Sequence, residues 1–238
     1  MKLKRKIVVF SGAGMSAESG ISTFRDSDGL WENYRIEDVA TLHAWKTDPE
    51  LVTEFYNIRR RNIIQSKPNE AHLALSKLEQ FAQVKIVTQN IDDLHERAGS
   101  SDVLHLHGNI RYAKSSGPNQ ESTYYRINGS KLSKDSCCPE GYRLRPHVVW
   151  FGEKVPALEE AARIISEADI LIVIGTSLQV YPAAGLIHHA QGCCTKYIID
   201  PKVKTMNIPS DFTCIQSSAV EGVETVISEI KKALNLCD

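Results

Sequence analysis

Five short apolar runs, rich in β-branched residues, recur along the chain: Ile7 to Phe10, Val84 to Thr88, Val103 to Leu106, Ile170 to Ile174 and Tyr197 to Ile199. Runs of this length, without polar alternation, predict strands buried on both faces. Helical patterns separate them, so the expected fold class is α/β, a Rossmann-like parallel sheet with helices on both faces. Two segments break the rhythm. Residues 30–75 are helical and charged, and 109–147 are rich in Ser, Gly, Asn, Pro and Tyr with weak periodicity. Both are assigned to a small inserted module, which leaves 1–29, 76–108 and 148–238 to the core of one domain spanning 1–238. Val220 to Leu234 carries apolar residues at helical spacing, with Glu221, Glu224 and Lys231 on the other side, and is expected to close the fold as an amphipathic helix.

Composition narrows the partners. Lys plus Arg number 28 and Asp plus Glu 29, scattered along the chain, so neither nucleic acid nor a membrane surface is an expected partner. The basic start MKLKRK precedes an apolar stretch too short for a signal-peptide core, and no run approaches the roughly 20 apolar residues of a membrane helix. Six cysteines, including the adjacent pairs Cys137–Cys138 and Cys193–Cys194, do not resemble a secreted disulfide framework. A soluble, cytoplasmic monomer is the expectation.

In open parallel sheets ligands collect beyond the carboxyl ends of the strands. After the first run comes Gly12-Ala13-Gly14-Met15-Ser16-Ala17, which matches G-x-G-x-x-G/A between a strand and a helix. Taken alone it is also compatible with a plain glycine turn. Gly175-Thr176-Ser177 follows ILIVI, and Asp200 follows the next strand, so three strand ends agree on a dinucleotide such as NAD. A dehydrogenase places an acid for the ribose about 20 residues after the glycines. Here that region reads GISTFRDSDGLWENY and is taken as a flap over the nucleotide.

Strand VKIVT ends at Gln89-Asn90-Ile91-Asp92, whose polar members are expected to face the crevice. Asn90 or Asp92 also suits a helix N-cap, though capping does not use all three polar groups. Another strand ends at Leu106-His107-Gly108, which places an imidazole at the same edge and makes His107 the candidate base. His105 is expected on the opposite face and is set aside as a decoy.

Taken together, GAGMSAESGISTFR (Gly12 to Arg25), TQNIDDLHERAG (Thr88 to Gly99), His107-Gly108, LRPHVVWFGE (Leu144 to Glu153) and GTSLQVYP (Gly175 to Pro182) resemble the ordered motif set of the sirtuins over nearly the whole chain. The resemblance implies a protein deacylase that uses NAD as co-substrate and acts on acyl-lysine proteins or peptides. The acyl oxygen attacks C1′ of the ribose, His107 deprotonates a ribose hydroxyl, and nicotinamide, free lysine and O-acyl-ADP-ribose leave. It also implies that Asp92 holds the nicotinamide amide near Ala13, Ile21, Phe24 and Arg25. Gln89 and Asn90 join the catalytic group, and Trp31, Ile91 and Ala219 join the NAD site. Val149, Phe151-Gly152-Glu153 and Leu178-Gln179-Val180 then pair with the substrate backbone as strands.

Tyr56 and Arg59 stand three residues apart and share one helical face. A guanidinium beside a phenol makes a carboxylate receptor, although the bare pattern by itself favours an amphipathic helix with its charges in solvent. By resemblance Tyr-x-x-Arg, with PNEAHLALSKLE (Pro68 to Glu79) downstream, is similar to the sirtuin class that removes succinyl and malonyl groups, with acetyl as a lesser substrate. ADP-ribosyl transfer or NAD hydrolysis on the same scaffold is the alternative, and a non-catalytic nucleotide sensor a further one.

One part of the pattern fails. Sirtuins usually hold a structural zinc with two Cys-x-x-Cys pairs, but residues 109–130 contain no cysteine and Cys137 and Cys138 are adjacent. No zinc is expected, and the module is expected to pack through Tyr112, Tyr124, Tyr125 and Tyr142. Cys137, Cys138, Glu140 and His147 form the alternative ligand set.

Overall fold

The segment Lys6–Ser11 is apolar on both sides, and that places it inside a sheet covered above and below. Ile7 and Val9 face one helical layer, Val8 and Phe10 the other, and all four are buried. The computed structural model describes residues 5–23, 30–31 and 34–233. Its strands are β1 (Lys6–Ser11), β2 (Leu30–Trp31), β3 (Tyr34–Arg35), β4 (Gln83–Thr88), β5 (Val103–His105), β6 (Gly108–Ser115), β7 (Tyr124–Arg126), β8 (Leu144–Val148), β9 (Ile170–Ile174), β10 (Thr195–Ile199) and β11 (Phe212–Ile215). Its α-helices are α1 (Gly14–Ala17), α2 (Ile36–Val39), α3 (Leu42–Thr47), α4 (Pro49–Gln65), α5 (Glu70–Lys77), α6 (Leu94–Arg97), α7 (Leu158–Ser166) and α8 (Ala219–Ala233).

Six strands form the main sheet in the order β11-β10-β9-β1-β4-β5, every neighbouring pair parallel. From β1 the chain moves outward to β4 and β5, then returns to the other side of β1 as β9. The reversal opens a crevice beyond the carboxyl ends of β1 and β9. Register sets its floor, since Ser11 pairs with Thr88 and with Ile174, and Ile174 pairs with Ile199. Gly12, Gln89, Gly175 and Asp200, each one residue further on, therefore emerge at one level.

Helices α5 and α8 cover the face of Ile7, Val9, Ile86, Ile172 and Ile199, and α7 covers the opposite face. Fully burying one such side chain stabilises by roughly 1.5–3 kcal/mol. The α5 residues Ala71 and Leu75 belong to the core cluster although they fall within 30–75, so the chain rejoins the sheet ahead of residue 76. The N-cap Asn69, whose side chain accepts from His72 N, starts this helix at the sheet.

The remaining elements build a second layer beside the crevice. Strands β7-β6-β8 form a small antiparallel sheet. Its Ile110 and Val148 pack with Trp150 against Val39, Trp45, Val52, Phe55, Tyr56 and Ile63 from α2 to α4. Among the described residues no helix is long and apolar enough to cross a membrane.

Candidate active site

A crevice of about 530 Å³ lies at the reversal point and is lined by residues from every strand end singled out in the sequence. Gly12, Ala13, Gly14, Ser16 and Ala17 line it after β1; Gln89, Asn90, Ile91 and Asp92 after β4; His107 after β5; Gly175, Thr176 and Ser177 after β9; and Asp200 after β10, with Ala219 from α8. Phe24 and Arg25 lie outside the described residues, as does the side chain of Trp31.

The floor is backbone. Gly14 N donates to Gly175 O at 2.8 Å, and a Cβ on Gly175, whose φ is +61°, would fall 2.3 Å from Met15 N. Close backbone approach is what a diphosphate cradle requires. The helix after the cradle is tied to α8, because the Glu18 carboxylate accepts from Ser218 Oγ at 3.1 Å and from Val220 N at 3.0 Å. Glu18 also lines the crevice, and sequence reasoning missed it because its partners lie some 200 residues away.

His107 Nδ1 sits 2.9 Å from Gln89 O. A carbonyl only accepts, so Nδ1 carries the proton and Nε2 keeps its lone pair. Burial lowers the pKa of His107, opposed by the Gln89 carbonyl, which keeps the ring neutral and basic at physiological pH. His105 lies outside the crevice and reaches Asn90 O at 2.9 Å. Strand alternation is not the reason, since it puts residues two apart on one face; instead β5 ends at His105 and the chain bends at Leu106 and His107. The other nitrogen of His105 meets Glu96 at 2.8 Å; burial pulls its pKa down, but the Glu96 carboxylate, the Asn90 carbonyl and Asp92 together raise it.

Gln89 Nε2 donates to Thr176 Oγ1 at 2.9 Å, and Asn90 Nδ2 donates to Gly12 O at 3.0 Å and to Ser16 Oγ at 3.2 Å. These bonds lock the β4 end onto the ends of β1 and β9. Asp92 lines the crevice and is not the N-cap of α6, which is Asp93: its Oδ1 accepts from Leu94 N two residues on at 3.1 Å, and its Oδ2 from Ser16 Oγ at 3.0 Å. Burial raises its pKa, partly offset by those two donors.

Behind this constellation Ser11 Oγ donates to Thr88 Oγ1 at 2.8 Å and meets His95 Nε2 at 3.0 Å. The His95 and His72 rings stand 4.8 Å apart, nearly fully buried. Burial, reinforced by Arg97, lowers the pKa of His72 to about 4, and burial holds His95 well below the ordinary value. An unfolded chain takes these protons near 6.5 while the folded chain resists them, so stability is complete above that pH. It falls as pH drops from about 6.5 towards 4, by up to ~3 kcal/mol from His72 alone. Urea midpoints measured from pH 7.5 to 4.5 are expected to decline over that window; a flat profile would contradict it.

Along the other wall, α4 carries Tyr56 and Arg59 into the crevice. Tyr56 is fully buried and Arg59 is 4 % exposed, so the picture of an amphipathic helix with solvated charges does not hold here. Arg60 is buried as well, but on the far side, donating to Ile110 O at 2.6 Å and to Asn57 Oδ1 at 2.7 Å. Val149, Phe151, Gly152, Glu153 and Val180 line the mouth. Neither expected peptide-pairing segment is a strand by itself. Phe151 bridges Thr41, Gly152 turns the chain at φ +86°, and Leu178 has φ +53°. The Glu153 carboxylate faces inward, accepting from Arg145 Nη2 at 2.7 Å and from Trp150 N at 2.9 Å.

In the small sheet the candidate zinc ligands stand apart. Cys137 is exposed, whereas Cys138 is buried 3.4 Å from Ser115 and packs with Ala113, Ile127, Leu132 and Leu144. His147 is stacked on Tyr124 at 3.8 Å. Among the described residues no three His, Cys, Asp or Glu side chains are gathered for a metal ion. Four soft ligands are the norm for structural zinc, and the donors present do not fit it. Tyr125 packs on the apolar cluster as expected, whereas Tyr124, stacked on His147, and Tyr142 are each a little under half exposed. Lys114, only 2 % exposed and paired with Glu121 at 2.5 Å, adds a polar anchor.

The comparisons with known proteins agree with this geometry. Residues 12–182 match the Sir2 family. An NAD-dependent protein deacylase of Helicobacter pylori (strain ATCC 700392 / 26695) is 49% identical over 228 residues, covering 95% of this chain and 97% of the relative. A solved complex of a Sir2 homologue with NAD superposes with a TM-score of 0.83 at 37% identity, covering 97% of this chain and 91% of the other. Another, a Sir2 bound to an inhibitor, 2′-O-acetyl-ADP-ribose and a deacetylated p53 peptide, gives 0.74 at 32% identity over 95% and 94% of the two chains.

Proposed function

The chain belongs to the Sir2 family and is an NAD-dependent protein deacylase; from that premise we propose that its preferred substrates are succinyl- and malonyl-lysine in proteins, with acetyl-lysine a lesser one. The observation that carries the acyl preference is the pairing of Tyr56 and Arg59, both buried and both lining the crevice that His107 enters. In such a low-dielectric setting a guanidinium gives a carboxylate a charge-assisted, two-pronged contact that a neutral acyl group cannot use.

The division of labour follows from the strand ends. NAD supplies an electrophilic ribose carbon when its bond to nicotinamide opens. The glycine backbone and the helix behind it hold the diphosphate, and Asp200, one oxygen of which accepts from Lys202 N at 2.8 Å, faces the ribose hydroxyls of the adenosine half. Asp92 receives the nicotinamide amide, and the oriented Asn90 amide and the Asp92 carboxyl stabilise positive charge at the reacting ribose. His107 Nε2 takes the proton of a ribose hydroxyl so that the acyl group can move to it. The mouth lined by Val149, Phe151, Gly152 and Val180 receives the peptide.

Values of kcat/KM on one peptide bearing succinyl-, malonyl- or acetyl-lysine test this reading. The acidic groups are expected to exceed acetyl by at least ~10-fold, as one charge-assisted contact implies. Equal values would refute the preference, and nicotinamide release at the same rate without peptide would favour NAD hydrolysis.

A further inference from the structure

Trp150, on the crevice wall, makes a hydrogen bond of fixed direction. Its Nε1 lies 3.0 Å from the Tyr56 hydroxyl. An indole N–H can only donate, so the phenol oxygen is the acceptor and the single phenol proton is left for a different partner. Burial raises the Tyr56 pKa far enough that the phenol stays protonated, against the opposing pull of Trp150, Arg59 and Arg145. The phenol is thus a donor, one helical turn from Arg59 on the crevice wall.

The indole is itself held from three sides. Its backbone N donates to Glu153 Oε2 at 2.9 Å, and the Arg145 guanidinium lies 4.0 Å from the ring centroid. Arg145 Nη2 donates to the other Glu153 oxygen at 2.7 Å, and Trp45 packs 5.7 Å away. Trp150 and Arg145 are 2 % and 1 % exposed. With the backbone tied to Glu153 and the ring held between Arg145 and Trp45, the approach of the N–H to Tyr56 is fixed.

We propose that Trp150 is a specificity-positioning residue: by occupying the acceptor side of the Tyr56 hydroxyl it commits the O–H to the carboxylate of an acidic acyl group, with Arg145 and Glu153 holding the indole in register. This rests on the acidic-acyl reading above. An acetyl group has no carboxylate to receive that proton, so the effect belongs to selectivity.

The test is the succinyl-over-acetyl ratio of kcat/KM in Trp150→Phe, Tyr56→Phe and the double variant. Trp150→Phe is expected to lower the ratio about 10-fold, the scale of one hydrogen bond to a charged group. The double variant is expected to fall no further than Tyr56→Phe, because an absent phenol leaves the indole nothing to orient. A merely structural tryptophan would depress both substrates alike; an unchanged ratio, or additive losses in the double variant, overturns the proposal. Should Trp150→Phe fail to fold, a benzothiophene analogue of tryptophan placed at position 150 keeps the shape and removes the N–H, and the same ratio is read. If Arg59→Met collapses the ratio and the Trp150 variants do not, this inference falls alone. If the unaltered enzyme shows no succinyl preference, the acidic-acyl reading falls and takes this one with it.

Discussion

His107→Ala is expected to lower kcat/KM for acyl-lysine by about 10²–10⁴-fold, the usual contribution of a positioned general base. The expectation rests on three facts of geometry. The imidazole emerges at the carboxyl end of β5, inside the crevice; its Nδ1 proton is committed to Gln89 O; and burial lowers its pKa so that Nε2 is free to accept a proton. Alanine removes the acceptor and leaves the glycine cradle untouched, so the loss is expected in kcat, with a smaller change in the KM for NAD. His105 supplies an internal contrast. It lies two residues away but outside the crevice, bonded to Asn90 O and Glu96. Undiminished turnover by His107→Ala in a steady-state nicotinamide-release assay would mean that another group is the base.

Arg59→Met is expected to lower kcat/KM for succinyl-lysine by roughly 10²–10⁴-fold, because removing one partner of a desolvated charge pair costs on the order of 3–5 kcal/mol. Methionine keeps most of the length and apolar surface of the side chain, so α4 has no reason to move. Acetyl-lysine, which brings no charge, is expected to lose far less, and the succinyl-over-acetyl ratio should fall. Equal losses on both substrates would assign Arg59 to support of the fold. Arg60 marks the difference between the two roles, since its guanidinium is used on Ile110 O, Asn57 and Ser130 O, away from the crevice.

The parts of this fold that are legible in the sequence have local causes. Of the six strands of the main sheet, β1, β9 and β10 contain continuous apolar runs because both faces are covered; β4 is interrupted by Lys85, and β5, at one edge, carries His105 and is half-buried throughout. β11 escaped notice because it lies at the sheet edge, where Thr213 and Cys214 are exposed. Small-residue turns and lone polar residues after strands marked the crevice, since burying such groups without purpose is costly. What local reading misses is fixed by partners distant along the chain. Glu18 meets Ser218, Arg60 meets Ile110, and Tyr56 meets Trp150 across 94 positions. The Trp150–Tyr56 bond joins two segments that the motif reading treated separately, as an acyl signature and a peptide-binding signature. Similarly, the helical, charged stretch 30–75 reads as a break in the strand-and-helix rhythm, whereas its Ala71 and Leu75 already pack on the sheet.

The central claim is that the crevice recognises the charge of the acyl group and does so through Tyr56 and Arg59. The most direct test compares kcat/KM for succinyl-lysine with that for its neutral amide, an isostere of the same length that lacks the carboxylate. The account predicts a preference for the acid of at least ~10-fold, lost in Arg59→Met. Equal kcat/KM for the two acyl groups in the unaltered enzyme would contradict it.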